Sequence, residues 1–131
     1  MTYNLVSLSH VVPAGGFDLA ELEGELWLRL TREGDVLTAL DDSSTVSVDP
    51  GEVAYASGST VLTRHFVWCQ SRTGLITPST QRVFLVSEIL AGLDDDVAGE
   101  VLEALSSGLT EHFGSEPNVF LVHEGAPAAS F

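Results

Sequence analysis

Two β-branched and aromatic runs on either side of a polar loop, residues 60–90 (TVLTRHFVWCQSRTGLITPSTQRVFLVSEIL), constrain the fold of this chain more than any other stretch. Val, Phe, Trp and Thr suit a pleated, half-buried surface, whereas residues 70–80 between the runs carry a Gly, a Pro, three Thr and an Arg. The pattern predicts strand, structured loop, strand. Along residues 60–70, period-two alternation puts Val61, Thr63, His65, Val67 and Cys69 on one face. Leu62, Arg64, Phe66, Trp68 and Gln70 take the other. That second face joins an Arg to two large aromatics. It can stack on a planar ligand, or it can be a core face from which the Arg reaches water.

The remainder of the chain reads as short strands followed by one helix. Residues 3–12 alternate and predict an opening strand stopped at Pro13. After Gly15-Gly16, Asp18 with Glu21 predicts a capped helical turn that ends at Gly24. Residues 25–31 predict a strand with Leu26, Leu28 and Leu30 inward and Trp27 and Arg29 outward. A turn at 32–35 joins it in a hairpin to 36–40. Short strands follow at 45–48 and 53–56, separated by Asp49-Pro50-Gly51. Val97, Val101, Leu105 and Leu109 recur every four residues, with Ala98, Leu102 and Phe113 widening the stripe, which predicts an amphipathic helix ending at Gly114. Its apolar stripe is expected to cover a sheet. Residues 118–123 predict a last strand, and 124–131 a flexible C-terminal tail. The fold class is therefore α+β, with an antiparallel-rich sheet system of seven or eight short strands, one late helix and a single domain over residues 1–123.

Charge narrows the partners. Nineteen acidic residues against five Arg and no Lys give a net charge of −14. A surface that negative repels a phosphate backbone unless the Arg are gathered on one face, so direct tRNA binding is disfavoured. A small ligand or a partner protein fits more easily. The single cysteine, Cys69, precludes an intrachain disulfide and is consistent with a reducing cytoplasm. No apolar run approaches membrane-spanning length. On an extended strand His65 and Cys69 stand roughly 13 Å apart, too far for a catalytic dyad. The four His have no zinc-ligand spacing, and the absence of Lys excludes Lys-dependent chemistry, so neither metal nor cofactor is expected. Asp41, Asp42 and Asp49 are explained by turn chemistry, because they lack the alternating spacing of a calcium loop.

The order Arg64, Trp68, Gln70, Ser71, Thr73, Ile76, Thr77 and Thr80, followed by Val83-Phe84-Leu85-Val86, resembles the second half of the editing, tRNA-binding domain of the phenylalanyl-tRNA synthetase β subunit. It is most similar to the free-standing relatives of that domain. Gly15-Gly16-Phe17-Asp18-Leu19, Leu28-Arg29-Leu30, Glu33-Gly34 and Pro50-Gly51-Glu52-Val53 fit the same order. The resemblance implies a β/β/α layered domain of which this chain is the C-terminal half only. It also implies that a second copy or another protein completes the sheet. In the synthetase an acidic residue on the strand after the Thr loop recognises the phenolic hydroxyl of a misactivated amino acid, and that position here is Val86.

The candidate ligand-binding set is Arg64, Trp68, Gln70, Arg72, Thr73, Thr77 and Thr80. Two readings stay open for its polar members. The hydroxyls and amide cap the turn's own backbone, or they line a pocket in which Arg64 takes a carboxylate and Trp68 an apolar group. The expected functions are a module recognising an amino-acid-like moiety, free, carrier-bound or on tRNA, with or without hydrolysis; a non-catalytic subunit that pairs with itself or a partner protein; or a small-molecule biosynthetic enzyme reusing the fold. No catalytic residue is assigned.

Overall fold

A computed structural model of the protein describes residues 2–41, 43–66, 69–93 and 96–130. Its described residues form nine strands, two helices and one 3-10 turn, so the α+β class with antiparallel-rich sheets and a late helix holds. In chain order these are α1 (Thr2–His10), β1 (Ala14–Asp18), the 3-10 turn (Leu19–Glu21), β2 (Leu26–Leu30) and β3 (Val36–Thr38). Next come β4 (Thr45–Ser47), β5 (Val53–Ser57), β6 (Thr60–Val61), β7 (Thr63–Arg64), β8 (Cys69–Gln70), β9 (Val83–Ser87) and α2 (Asp96–Phe113). The chain divides into two compact units, Gly15–Val86 and the pair of segments Met1–Ala14 with Ser87–Phe131.

The unit Gly15–Val86 is built on a five-stranded sheet of order β2-β5-β6-β3-β4. Its pairings are antiparallel except β3 with β6. The expected β2–β3 hairpin does not form. The turn at 32–35 is present, closed by Asp35 N–H on Arg32 O at 3.1 Å, but β2 pairs with β5 and β3 with β4. That leaves β2 at the sheet edge, and Leu28 and Leu30, expected inward, are exposed. Pairing opposite residues places Leu26, Leu28, Leu30, Val53 and Tyr55 on one face and Trp27, Arg29, Ala54 and Ala56 on the other.

Two buried clusters fill this unit. Leu37, Val48, Ala54 and Val61 form one. Phe17, Tyr55 and Leu62 form the second, with Leu22, Leu26, Phe84 and Val86 packed against it. Asp18 caps the 3-10 turn as expected, accepting from Ala20 N–H at 2.9 Å.

The second unit holds both helices. Along α2, Val101 and Leu105 are buried and Glu100, Glu103 and Glu111 face solvent, following the four-residue period. Phe113, expected to widen the stripe, is exposed. Gly114 ends the helix at φ 64°, donating to Thr110 O at 2.9 Å. The predicted opening strand is instead α1, and α2 packs against it. At Gly108 a Cβ would run into the Thr2 methyl, which marks how closely the two helices approach. Burial of Val6 against α2 outweighs the β-branched propensity of the segment, and the helix stops before Pro13 with Val11 left-handed at φ 55°. Residues 118–123, expected as a last strand, are exposed and join no sheet among the described residues, His123 making only an isolated bridge with Ala126.

Candidate functional site

The sequence places its candidate residues on one long strand and its following loop, and the structure breaks that strand. The chain turns back at His65 and Phe66, both left-handed at φ 45° and 72°. The result is a β7–β8 hairpin in which Thr63 pairs with Gln70 and Arg64 with Cys69. Cross-strand partners share a face, so Arg64 and Gln70 lie on opposite faces, contrary to the alternation read along a continuous strand. The 13 Å separation argued for His65 and Cys69 lapses with the extended strand it assumed. Trp68, and Val67 before it, lie outside the described residues.

Arg64 is engaged. Its Nε donates to Glu52 Oε2 at 3.0 Å and its NH2 to Glu52 Oε1, a bidentate pair across which His65 Nε2 also stands 3.6 Å from Glu52 Oε2. The Arg64 hydrogen bond holds the Glu52 carboxyl below the usual carboxylate range. This Arg therefore ties the β7–β8 hairpin to the start of β5. We expect Arg64→Ala to cost about 2 kcal/mol of stability, measured by urea denaturation, because it strips the charged hydrogen bonds from Glu52.

The loop 70–80 is clamped onto β1 and the 3-10 turn. Asp18 N–H donates to Gly74 O at 2.9 Å, Gly74 N–H to Glu21 Oε2 at 2.9 Å, and Thr80 Oγ1 to Asp18 Oδ2 at 2.7 Å. Gly74 must be left-handed here, at φ 80°, under Leu62 and Phe17. Glu21, expected to close a capping box, reaches instead to this loop. At the far end Thr77 N–H donates to Thr80 Oγ1 at 2.9 Å, Thr77 Oγ1 meets Ser79 Oγ at 2.8 Å, and Ser79 N–H donates to Thr77 Oγ1 at 3.3 Å. Thr77 and Thr80 thus serve the loop's own framework. So does Ser71, fully buried, whose Oγ donates to Thr38 O at 3.1 Å and accepts from Thr73 N–H at 3.1 Å.

Gln70 and Arg72 are held differently. Gln70 Nε2 donates to Gly16 O at 3.5 Å, and the exposed Arg72 guanidinium to Leu40 O at 3.4 Å, both long contacts. The Arg72 backbone is fixed by its N–H on Thr38 O at 2.9 Å. Gly16 itself lies beneath Ile76 and Leu85, where a Cβ would come within 2.7 Å of both side chains. The next residue is Phe17 of the second apolar cluster, to which Val86 and Phe84 belong. Gln70 therefore stands where the polar loop meets an apolar wall. Sequence reasoning named Gly16, Asp18, Glu21 and Glu52 as turn and motif residues but did not foresee their contacts with Gln70, Thr80, Gly74 and Arg64.

The polar loop is fixed over the first strand of an α+β chain. The backbone of the chain superposes with a crystal structure of an N-terminal fragment of the phenylalanyl-tRNA synthetase β subunit from Pyrococcus horikoshii, with a TM-score of 0.61 and 14% identity. The match covers 83% of this chain and 38% of that fragment. The B3/4 domain model matches residues 2–107, and the chain belongs to the B3/4 domain family. A search of curated proteins finds no match. No helix among the described residues is long and apolar enough to cross a membrane.

Proposed function

We propose that this B3/4 domain recognises an amino-acid-like moiety with an apolar side chain, free or carried on a larger molecule, at the corner where residues 70–80 meet β1. The observation that carries this reading is the division of labour in the loop. Asp18, Glu21, Ser71, Thr77 and Thr80 make it rigid, and Gln70 and Arg72 each hold only one long hydrogen bond. A preorganised loop with two underused donors is suited to a carboxylate or carbonyl head group. Arg72 takes the role expected of Arg64, whose guanidinium is spent on Glu52.

Val86 sets the expected preference. In the resembled synthetase domain an acid in this place meets a phenolic hydroxyl, whereas Val86 packs against the Phe17, Tyr55 and Leu62 cluster. A hydroxyl buried there has no partner at Val86, which costs on the order of 1–3 kcal/mol. With nineteen acidic residues, and two of five Arg held in ion pairs by Asp35 and Glu52, the reading is recognition of the amino-acid part rather than of a polynucleotide.

Isothermal titration with L-phenylalanine, L-tyrosine and L-phenylalaninamide tests it. L-phenylalanine is expected to bind at least tenfold tighter than L-tyrosine. Both Arg72→Ala and loss of the ligand carboxylate should weaken binding about tenfold, with the melting temperature of the variant unchanged. Binding by none of the three, or equal binding by Arg72→Ala, contradicts the proposal.

A further inference from the structure

We infer that two copies of the chain pair through the open edges of β2, antiparallel about a two-fold axis at Trp27, so that their sheets join into one. β2 ends the order β2-β5-β6-β3-β4. Tyr55 O accepts from Leu62 N–H at 2.8 Å, so the main-chain groups of Tyr55 face away from β2 and those of Ala54 and Ala56 face it. Their partners Arg29 and Trp27 are thereby taken up with β5, and the main-chain groups of Leu26 and Leu28 point to the open edge. Thr31 keeps the same phase, its N–H donating to Glu52 O at 2.8 Å. At Leu30 the carbonyl already accepts from Arg29 NH1 at 2.9 Å, so the edge on offer is the stretch from Leu26 to Leu28.

Proteins ordinarily guard such an edge with charge, proline or a bulge. β2 carries no Pro, Trp27 is 53% and Leu28 48% exposed, and its one charge, Arg29, is held by Asp35. The sequence of the edge selects its occupant. Residues 25–29 read Glu-Leu-Trp-Leu-Arg, a pattern complementary to itself when reversed. Antiparallel pairing about Trp27 sets Trp27 against the partner's Trp27, Leu26 against the partner's Leu28, and Glu25 against the partner's Arg29. Leu26 and the partner's Leu28 then exchange both main-chain hydrogen bonds, and Trp27 and Glu25 fall at the closer, non-hydrogen-bonded positions. Centring the axis on Leu28 loses the match of Glu25 with Arg29, and centring it on Arg29 opposes two like charges.

These charges are not used up within one copy. The exposed Glu25 carboxylate makes no hydrogen bond or ion pair among the described residues. Neither does the Arg32 guanidinium, which acts on Asp35 only through its field. Arg29 spends both terminal nitrogens on Asp35, Leu30 O and Gly58 O and keeps its Nε–H. Beside the edge, Trp27, Arg29, Arg32 and Gly58 line a hollow of about 220 Å³, which gathers two of the chain's five Arg. Extending the alternation by one residue puts Glu25 on the Trp27 face, so in the paired register the partner's Glu25 enters this hollow and meets both guanidiniums. The surface is matched to itself, and the pairing closes as a symmetric dimer.

Light scattering over a dilution series in 0.15 M salt, where charges are screened beyond about 8 Å, tests this independently of any ligand. The wild-type chain should be a dimer that dissociates on dilution. Glu25→Arg, at an exposed position, opposes Arg29 and Arg32 and should raise the dissociation constant at least tenfold. Arg32→Glu, which opposes Glu25, should also weaken the dimer. An equimolar mixture of these two variants should dimerise better than either alone, because one of its two contacts is again Glu25 with Arg29 and Arg32. Leu28→Pro removes an N–H that no strand of its own copy uses, so it should abolish the dimer and leave the melting temperature nearly unchanged. A wild-type chain that stays monomeric at several hundred micromolar, or a dimer indifferent to Glu25→Arg or to a folded Leu28→Pro chain, overturns the inference.

Discussion

Replacing Asp35 with Ala is expected to destabilise the protein by about 3–5 kcal/mol, a fall in melting temperature of roughly 10 °C or more. Asp35 and Arg29 form a bidentate pair at 2.6 and 3.0 Å, with side chains only 4% and 10% exposed. Asp35 also accepts from Arg32 N–H at 2.8 Å, and Arg29 donates to Gly58 O at 2.9 Å. The pair therefore fastens edge strand β2 to the turn before β3 and to the turn after β5. Removing the carboxylate leaves a largely buried guanidinium uncompensated and three chain segments unlinked.

The loss has a pH signature. The Arg29 hydrogen bond holds the Asp35 carboxyl below its ordinary value. A depressed folded-state value stabilises the fold fully above the unfolded-state value, about 3.9, and that stabilisation fades as pH falls through the lower folded-state value. The stability gap between wild type and Asp35→Ala should be flat from pH 7 to about 5 and should narrow below about 4. Urea titrations at several pH values check this. A gap that widens in acid would show that the pair has been misassigned.

The second large effect belongs to Phe17→Ala, expected to cost about 3–5 kcal/mol by leaving a cavity the rigid surroundings cannot fill. Phe17 is 2% exposed and its ring lies 5.5 Å from that of Tyr55 at 54°, a tilted aromatic contact. Its ring also packs against Gly74, in the loop clamped to β1. The variant should therefore lose ligand recognition at temperatures where it is still folded, and Leu37→Ala in the other cluster should lower stability while recognition persists. Calorimetry paired with ligand titration separates the two.

How much of this was legible in the sequence depended on whether the determining contacts were local. The four-residue period of Val97, Val101, Leu105 and Leu109 announced α2, and Asp18 announced the cap of the 3-10 turn, because helix faces and caps are set within one turn. Strands at 45–47 and 53–57 followed from turn residues on either side. The turn at His65 and Phe66 carries no Gly, Asn or Asp, the residues that normally mark a left-handed bend, so the run read as one strand. Arg64 looked like a ligand anchor because its partner Glu52 lies twelve residues away and joins it only through tertiary pairing. The nine residues of α1 misled for the same reason: packing on α2, ninety residues distant in sequence, decides their conformation. Within the loop, the sequence located the polar cluster but could not say which members hold the loop and which remain for a ligand.

The most direct test of the central claim is a ¹⁵N-resolved amide titration of the protein with L-phenylalanine. The account predicts that the perturbed amides gather in residues 70–80 and 16–18, with Gln70 and Arg72 among the largest shifts, and that the pattern collapses in Arg72→Ala. Shifts centred on another part of the molecule, or none at saturating ligand, would contradict it.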